Sequence, residues 1–166
     1  PGVINTFQPE YYLSTHYNGG GIGTRAYQMA LFVLFETGLQ MLVDNPTMYY
    51  REEDCARFMA SIPLPTDETV SLAAKVGEYA IVAKRKGDKW YVGGMTNNKE
   101  KERVFELPLN FLPEGSTWKM VSYEDGVNAN KQAMHYMKRE QQVKKGQTIR
   151  VKMARNGGFA AVLSFK

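Results

Sequence analysis

One stretch, Thr24–Asn45 (TRAYQMALFVLFETGLQMLVDN), constrains the fold more than any other. From Thr24 to Glu36, Ala26, Met29, Ala30, Val33 and Leu34 recur at helical spacing, and Leu31, Phe32 and Phe35 widen the apolar surface past a single stripe. Such a helix has to be buried. Thr24 is placed to cap its start, because a Thr hydroxyl satisfies an orphan N–H. Gly38 is placed to stop it. Leu39–Val43 then forms a short apolar run ahead of Asp44-Asn45-Pro46, and a run of that length between Gly and Pro predicts a buried strand. A helix feeding a buried strand is half of a parallel α/β unit, whose sheet needs cover on both faces.

Residues 46–62 read as a closing helix. Pro46 and Thr47 stand at its start, Glu52, Glu53 and Asp54 in its early part, and Phe58, Met59 and Ile62 on its apolar side. Pro63 and Pro65 end it and mark a linker at 63–67. From Thr66 onward the period changes to two. Tyr79–Ala83 and Trp90–Val92 flank a tight turn at Lys86-Gly87-Asp88-Lys89. Further strands are expected at Arg103–Leu107, Trp118–Glu124, Met134–Gln142, Thr148–Met153 and Phe159–Ser164, with Asp125-Gly126 among the turns. About eight short strands separated by turn residues predict an antiparallel sandwich. Its expected core is Trp90, Val92, Phe105, Leu107, Trp118, Met120, Ile149, Val151, Ala161 and Leu163.

Charge is uneven. Residues 1–83 hold four Lys/Arg against nine Asp/Glu, and residues 84–166 hold seventeen against eight. The basic residues are scattered and accompany no nucleic-acid motif, so a solvated surface is the reading and nucleic acid is not an expected partner. No run of eighteen apolar residues predicts a membrane span. The single Cys55 excludes an internal disulfide and reads as a half-buried helix thiol. His16 and His135 lack ligand partners at metal-binding spacing, so no metal site is expected.

Residues 1–23 are rich in glycine and aromatics (Phe7, Tyr11, Tyr12, Tyr17, Gly19-Gly20-Gly21) and read as a long loop. The Gly run lacks the Lys-Ser/Thr of a phosphate loop. The chain begins Pro-Gly without a Met, as an internal piece of a longer protein would.

Two blocks in the same order carry a resemblance. Thr24–Pro46 resembles the end of the catalytic barrel in glycoside hydrolase family 97, the SusB-like α-glucosidases and α-galactosidases. Val76-Gly77-Glu78-Tyr79 with Ala83–Thr96 (AKRKGDKWYVGGMT) resembles that family's C-terminal domain. The resemblance implies an α/β remnant, the last helix–strand–helix of a (β/α)8 barrel over residues 1–63, followed by an all-β antiparallel sandwich over 64–166. It implies a parent enzyme cleaving α-glucosidic or α-galactosidic bonds of an oligosaccharide, periplasmic or secreted, with calcium in the full-length enzyme. The rest of that barrel would be this chain's partner. The family's catalytic and calcium-binding carboxylates resemble positions upstream of Pro1, so no catalytic residue and no metal ligand maps onto this sequence.

Five acidic residues remain to be weighed. Asp44 ends the expected eighth barrel strand, where active-site residues gather, and is the one candidate substrate-binding residue; the alternative is that it caps the next helix. Glu36, late in an apolar helix, needs a polar partner and reads as structural. Asp67-Glu68 reads as an interdomain polar contact. Glu10 lies in the loop that the resemblance places on the active-site side. A second function also stands: a carbohydrate-binding module stacking sugars on exposed rings among Trp90, Tyr91, Trp118, Tyr123 and Tyr136. Alternation instead places both Trp rings in the core. Taken alone, the Thr24–Glu36 helix and the Leu39–Val43 strand are expected to expose apolar surface and to be disordered, repacked or paired with another copy.

Overall fold

The computed structural model describes residues 2–11 and 20–165. The loop expected around Tyr12 and Tyr17, with His16, lies largely outside the described residues. Strand β1 (Thr6–Phe7) leads into a 3-10 turn (Pro9–Tyr11), and β2 (Gly21–Ile22) pairs with β1 in parallel. Three helices follow: α1 (Arg25–Leu34), α2 (Pro46–Arg51) and α3 (Glu53–Ala60). Eight strands complete the chain: β3 (Glu68–Lys75), β4 (Tyr79–Lys86), β5 (Lys89–Thr96), β6 (Glu102–Pro108), β7 (Thr117–Asp125), β8 (Tyr136–Lys144), β9 (Thr148–Ala154) and β10 (Gly158–Phe165).

The antiparallel sheet β3-β4-β5-β10-β7-β8 packs one face against the antiparallel pair β6-β9. Period-two alternation sends Trp90, Val92, Trp118, Met120, Phe159, Ala161 and Leu163 into this space, where they meet Leu107, Val151 and Met153. All ten expected core residues lie in it, with Phe105 and Ile149 partly buried. Gly87 takes φ +57° in the β4–β5 turn, as that hairpin requires.

The other face of the large sheet is covered by the helices. Tyr91, Tyr123 and Ala160 alternate outward and pack with Met29, Ala30, Phe32 and Val33 of α1 and with Cys55, Phe58 and Met59 of α3. Helix α1 approaches closely because glycine faces it. A Cβ on Gly93 would stand 2.7 Å from Val33 Cβ, and one on Gly158 would collide with the Tyr27 backbone. The result is three layers: helices, a six-stranded sheet, and a two-stranded sheet.

Helix α1 forms as its sequence dictates, with the Thr24 hydroxyl accepting the Tyr27 N–H at 3.0 Å. It ends at Leu34, short of Glu36, because Phe35 turns to extended backbone. Lys84 of β4 donates to the free Leu34 carbonyl at 3.3 Å. Rather than exposing its apolar face, α1 buries it against β5 and β10.

Leu39–Val43 is not a strand. No described strand lies beside it to satisfy its backbone, so it runs as irregular chain with Leu39 76%, Met41 62% and Val43 58% exposed. The expected closing helix is broken into α2 and α3 at Glu52, whose backbone leaves helical angles (φ −118°, ψ 51°) where its side chain reaches Arg25. Cys55 is fully buried rather than half-buried, since α3 lays that face on the sheet.

Candidate functional site

Asp44 sits where the irregular strip meets α2, and its carboxylate is already engaged. Oδ2 accepts the Ile4 N–H at 2.9 Å and the Asn5 N–H at 2.7 Å, and Oδ1 accepts the Asn45 N–H at 2.7 Å. The Asp44 N–H donates to the Tyr49 hydroxyl at 2.6 Å, which in turn donates to the Gly2 carbonyl at 2.7 Å. Asp44 therefore fastens the N-terminal segment to the start of α2. The helix cap is Asn45, whose side chain accepts the Thr47 N–H at 2.9 Å.

Two cavities border this junction and share Asn5, Met48 and Arg51. The smaller, about 230 Å³, is lined by Asp44. The larger, about 610 Å³, reaches Arg25, Glu52 and His135. Glu52 pairs with Arg25 at 3.0 Å, while the Arg25 Nε donates to the Ile4 carbonyl and its guanidinium lies over the Tyr136 ring. Each cavity is thus bordered, among the described residues, by one carboxyl group that is already bonded within the protein. Glycoside hydrolysis needs two carboxyl groups flanking the scissile bond, and these two do not flank a common space.

The other acids weighed in the sequence are also paired within the protein. Glu36 accepts the Thr66 hydroxyl at 2.7 Å and lies 3.9 Å from the Lys84 ammonium. Glu10 pairs with Arg155. Asp67 and Glu68 do not bridge two domains. Asp67 accepts from Lys86 and the Gly87 N–H, which hold its carboxyl below the usual range, and Glu68 accepts from Arg85, so both lock β3 to the end of β4 within one sheet. His135 Nδ1 accepts the Asn128 N–H. Among the described residues no three His, Cys, Asp or Glu side chains converge as a metal site.

Four of the five rings weighed for sugar stacking are buried. Trp90 is 2% exposed and Trp118 4%, Tyr91 and Tyr123 are buried against the helices, and Tyr136 is half-buried. Alternation placed the two Trp rings inside, and the helical layer covers the tyrosines.

One carboxyl escaped the sequence reading. Asp125, which looked like half of an Asp-Gly turn, closes β7 and is buried, its Oδ2 accepting the Ala154 N–H at 2.8 Å and the Gly158 N–H at 3.1 Å. Burial pushes its carboxyl up to about 6 against the opposing pull of Thr24 and those two N–H groups. Only its position at the end of an apolar strand hinted at this.

The fold and its engaged carboxylates define a helix-covered β module, and among the described residues neither of the two cavities at the Asp44 junction is lined by a pair of carboxyl groups. Comparison with known proteins places it. The family model described as glycosyl-hydrolase 97 C-terminal, oligomerisation, matches residues 65–164. The chain belongs to glycoside hydrolase family 97. It is 41% identical over 138 residues to a retaining α-galactosidase of Bacteroides thetaiotaomicron, covering 83% of this chain and 20% of that protein. A probable retaining α-galactosidase of Streptomyces bingchenggensis is 31% identical over 137 residues, covering 82% and 20%. Among solved structures, a family 97 enzyme from Pseudoalteromonas sp. strain K8, in complex with acarbose, superposes with a TM-score of 0.81 at 28% identity, covering 87% of this chain and 23% of that one. The chain spans about a fifth of the length of these relatives.

Proposed function

We propose that this chain is the C-terminal part of a larger α-galactosidase, in which residues 1–63 complete a catalytic (β/α)8 barrel and residues 64–166 form a non-catalytic domain braced against it. The observation that carries this reading is the exposed strip Leu39–Val43. Its apolar side chains, and a backbone that pairs with no described strand, have the character of a barrel strand awaiting neighbours, and it lies outside the segment that matches the family's C-terminal model. The choice of α-galactosidic over α-glucosidic bonds is supported by the two relatives, which are named as α-galactosidases. In this reading the catalytic carboxylates, and any calcium, belong to the rest of the barrel, and the enzyme works in the periplasm or outside the cell. The family description names oligomerisation, which we extend to the β domain of the parent.

The test is hydrolysis of aryl α-galactoside and aryl α-glucoside, with and without calcium, by this 166-residue chain and by the same chain joined to its upstream sequence. Turnover by the longer protein alone, with the galactoside preferred, supports the reading. Turnover by the short chain overturns it.

A further inference from the structure

The turn between β9 and β10 is a socket for the N-terminal layer. The Asn156 carbonyl accepts the Thr24 N–H at 2.9 Å, just where α1 begins. The Arg155 carbonyl accepts from the buried Gln8 side chain at 2.6 Å, and Asn156 Nδ2 donates to Gln8 Oε1 at 3.3 Å. Asn156 itself sits at φ +47°. Both stems of this turn are held by one side chain, since Asp125 Oδ2 accepts from Ala154 on one side and Gly158 on the other. A Cβ on Gly157 would collide with that same oxygen.

The carboxyl at this centre has no countercharge. Its second oxygen, Oδ1, is buried, and beyond the two N–H groups on Oδ2 the Thr24 hydroxyl is the one side chain that favours its charged form among the described residues. Every charged neighbour is engaged elsewhere or has the wrong sign. Arg25, at the start of α1, pairs with Glu52, and Arg155 pairs with Glu10. Glu124, next on β7, adds negative charge and pairs with Arg139. On the β8 side, Tyr136 stands opposite Asp125 with its hydroxyl pKa raised by burial, and His135, beside Gly126, accepts from Asn128. Thr24 faces it from the α1 cap without charge. Among the described residues none forms an ion pair with Asp125.

We infer that Asp125 is a proton-operated latch: proton uptake by its buried carboxyl strengthens the seating of the N-terminal strand and α1 in the Arg155–Gly157 socket. The latch is independent of the parent's activity. Undocking withdraws Thr24 from the carboxyl and opens it to water, which returns it toward the ordinary carboxylate value near 4. In the docked state it titrates at about 6. Between those values the docked form holds a proton that the undocked form has released. Docking therefore strengthens as pH falls from 7.5 to 5 and gains nothing more below about 4. The shift corresponds to about a tenfold gain in the docking equilibrium between pH 7.5 and 5.

The experiment is hydrogen exchange of the Thr24 amide at pH 5 and 7.5, corrected for intrinsic exchange, in the chain and in Asp125→Asn. The latch predicts about tenfold more protection at pH 5 in the natural chain, and a pH-independent value in the variant. Equal protection at both pH values in the natural chain, or a pH dependence that survives in Asp125→Asn, overturns it. Carboxyl-carbon NMR titration of Asp125 in the natural chain needs no variant. A midpoint near 6 supports the latch, and one at or below about 4 overturns it.

Discussion

Gly93 and Val33 lie in direct apposition across the helix–sheet boundary, with no room for a Cβ between them. This contact ties α1, which the sequence assigned to the barrel, to β5 of the β domain. Gly93→Ala is expected to push α1 outward and to lower stability by about 1–3 kcal/mol, the usual range for overpacking a filled core. Urea unfolding checks it; an unchanged midpoint would mean the layers slide apart at little cost.

Asp44 is a fastener in this structure, so its substitutions should sort by hydrogen-bonding capacity. Asp44→Ala leaves the Ile4 and Asn5 N–H groups without their acceptor and should cost about 1–2 kcal/mol. Asp44→Asn keeps an acceptor oxygen and should recover most of that loss. Thermal unfolding of both variants decides, because a side chain there only to touch substrate would leave both unfolding curves in place.

Arg25 is buried and Glu52 is its only anionic partner among the described residues. Glu52→Ala strands a buried cation. A fully buried pair broken in this way costs about 3–5 kcal/mol, and because the Glu52 side chain is 30% exposed we expect about 2 kcal/mol. Arg25→Met with Glu52→Ala should be less harmful than Glu52→Ala alone, which a double-mutant cycle in urea would reveal.

Cys55 should be inert. Burial pushes its thiol up to about 11, so at pH 8 only about one molecule in a thousand carries the thiolate. Alkylation by iodoacetamide should be slow at pH 8 and become fast on unfolding. The same shift makes the folded chain lose stability as pH rises above about 8.5, where the unfolded thiol ionises and the folded one does not. Rapid native-state labelling at pH 8, followed by mass spectrometry, would contradict this.

Much of the β domain was legible because alternation reports directly on which side chains reach a core. Trp90, Val92, Trp118 and Met120 sit where period two puts them. Strand β3 was not singled out, since at the sheet edge only Val70, Leu72 and Ala73 are part-buried and the pattern is weak. The helical layer was missed although β5 carried its signature. Trp90-Tyr91-Val92 is apolar on both faces, and a strand apolar on both faces needs cover on both. Reading Leu39–Val43 as a strand described its composition, but a strand also needs a neighbour, and sequence pattern alone does not supply one. The site was harder still. Asp44, Glu36 and Asp67 were visible as acids, yet the long-range hydrogen bonds each accepts come from residues 19 to 40 positions away, and Asp125 was hidden inside a turn motif.

The most direct test of the account is hydrogen exchange over Leu39–Val43, measured in this chain and in the same chain joined to its upstream sequence. The account predicts rapid exchange in the chain alone and protection higher by roughly a hundredfold or more in the longer protein, where barrel strands pair with it on both sides. Equal exchange in the two forms would mean that this strip is not a barrel strand, and the proposed place of the chain in a catalytic barrel would fall with it.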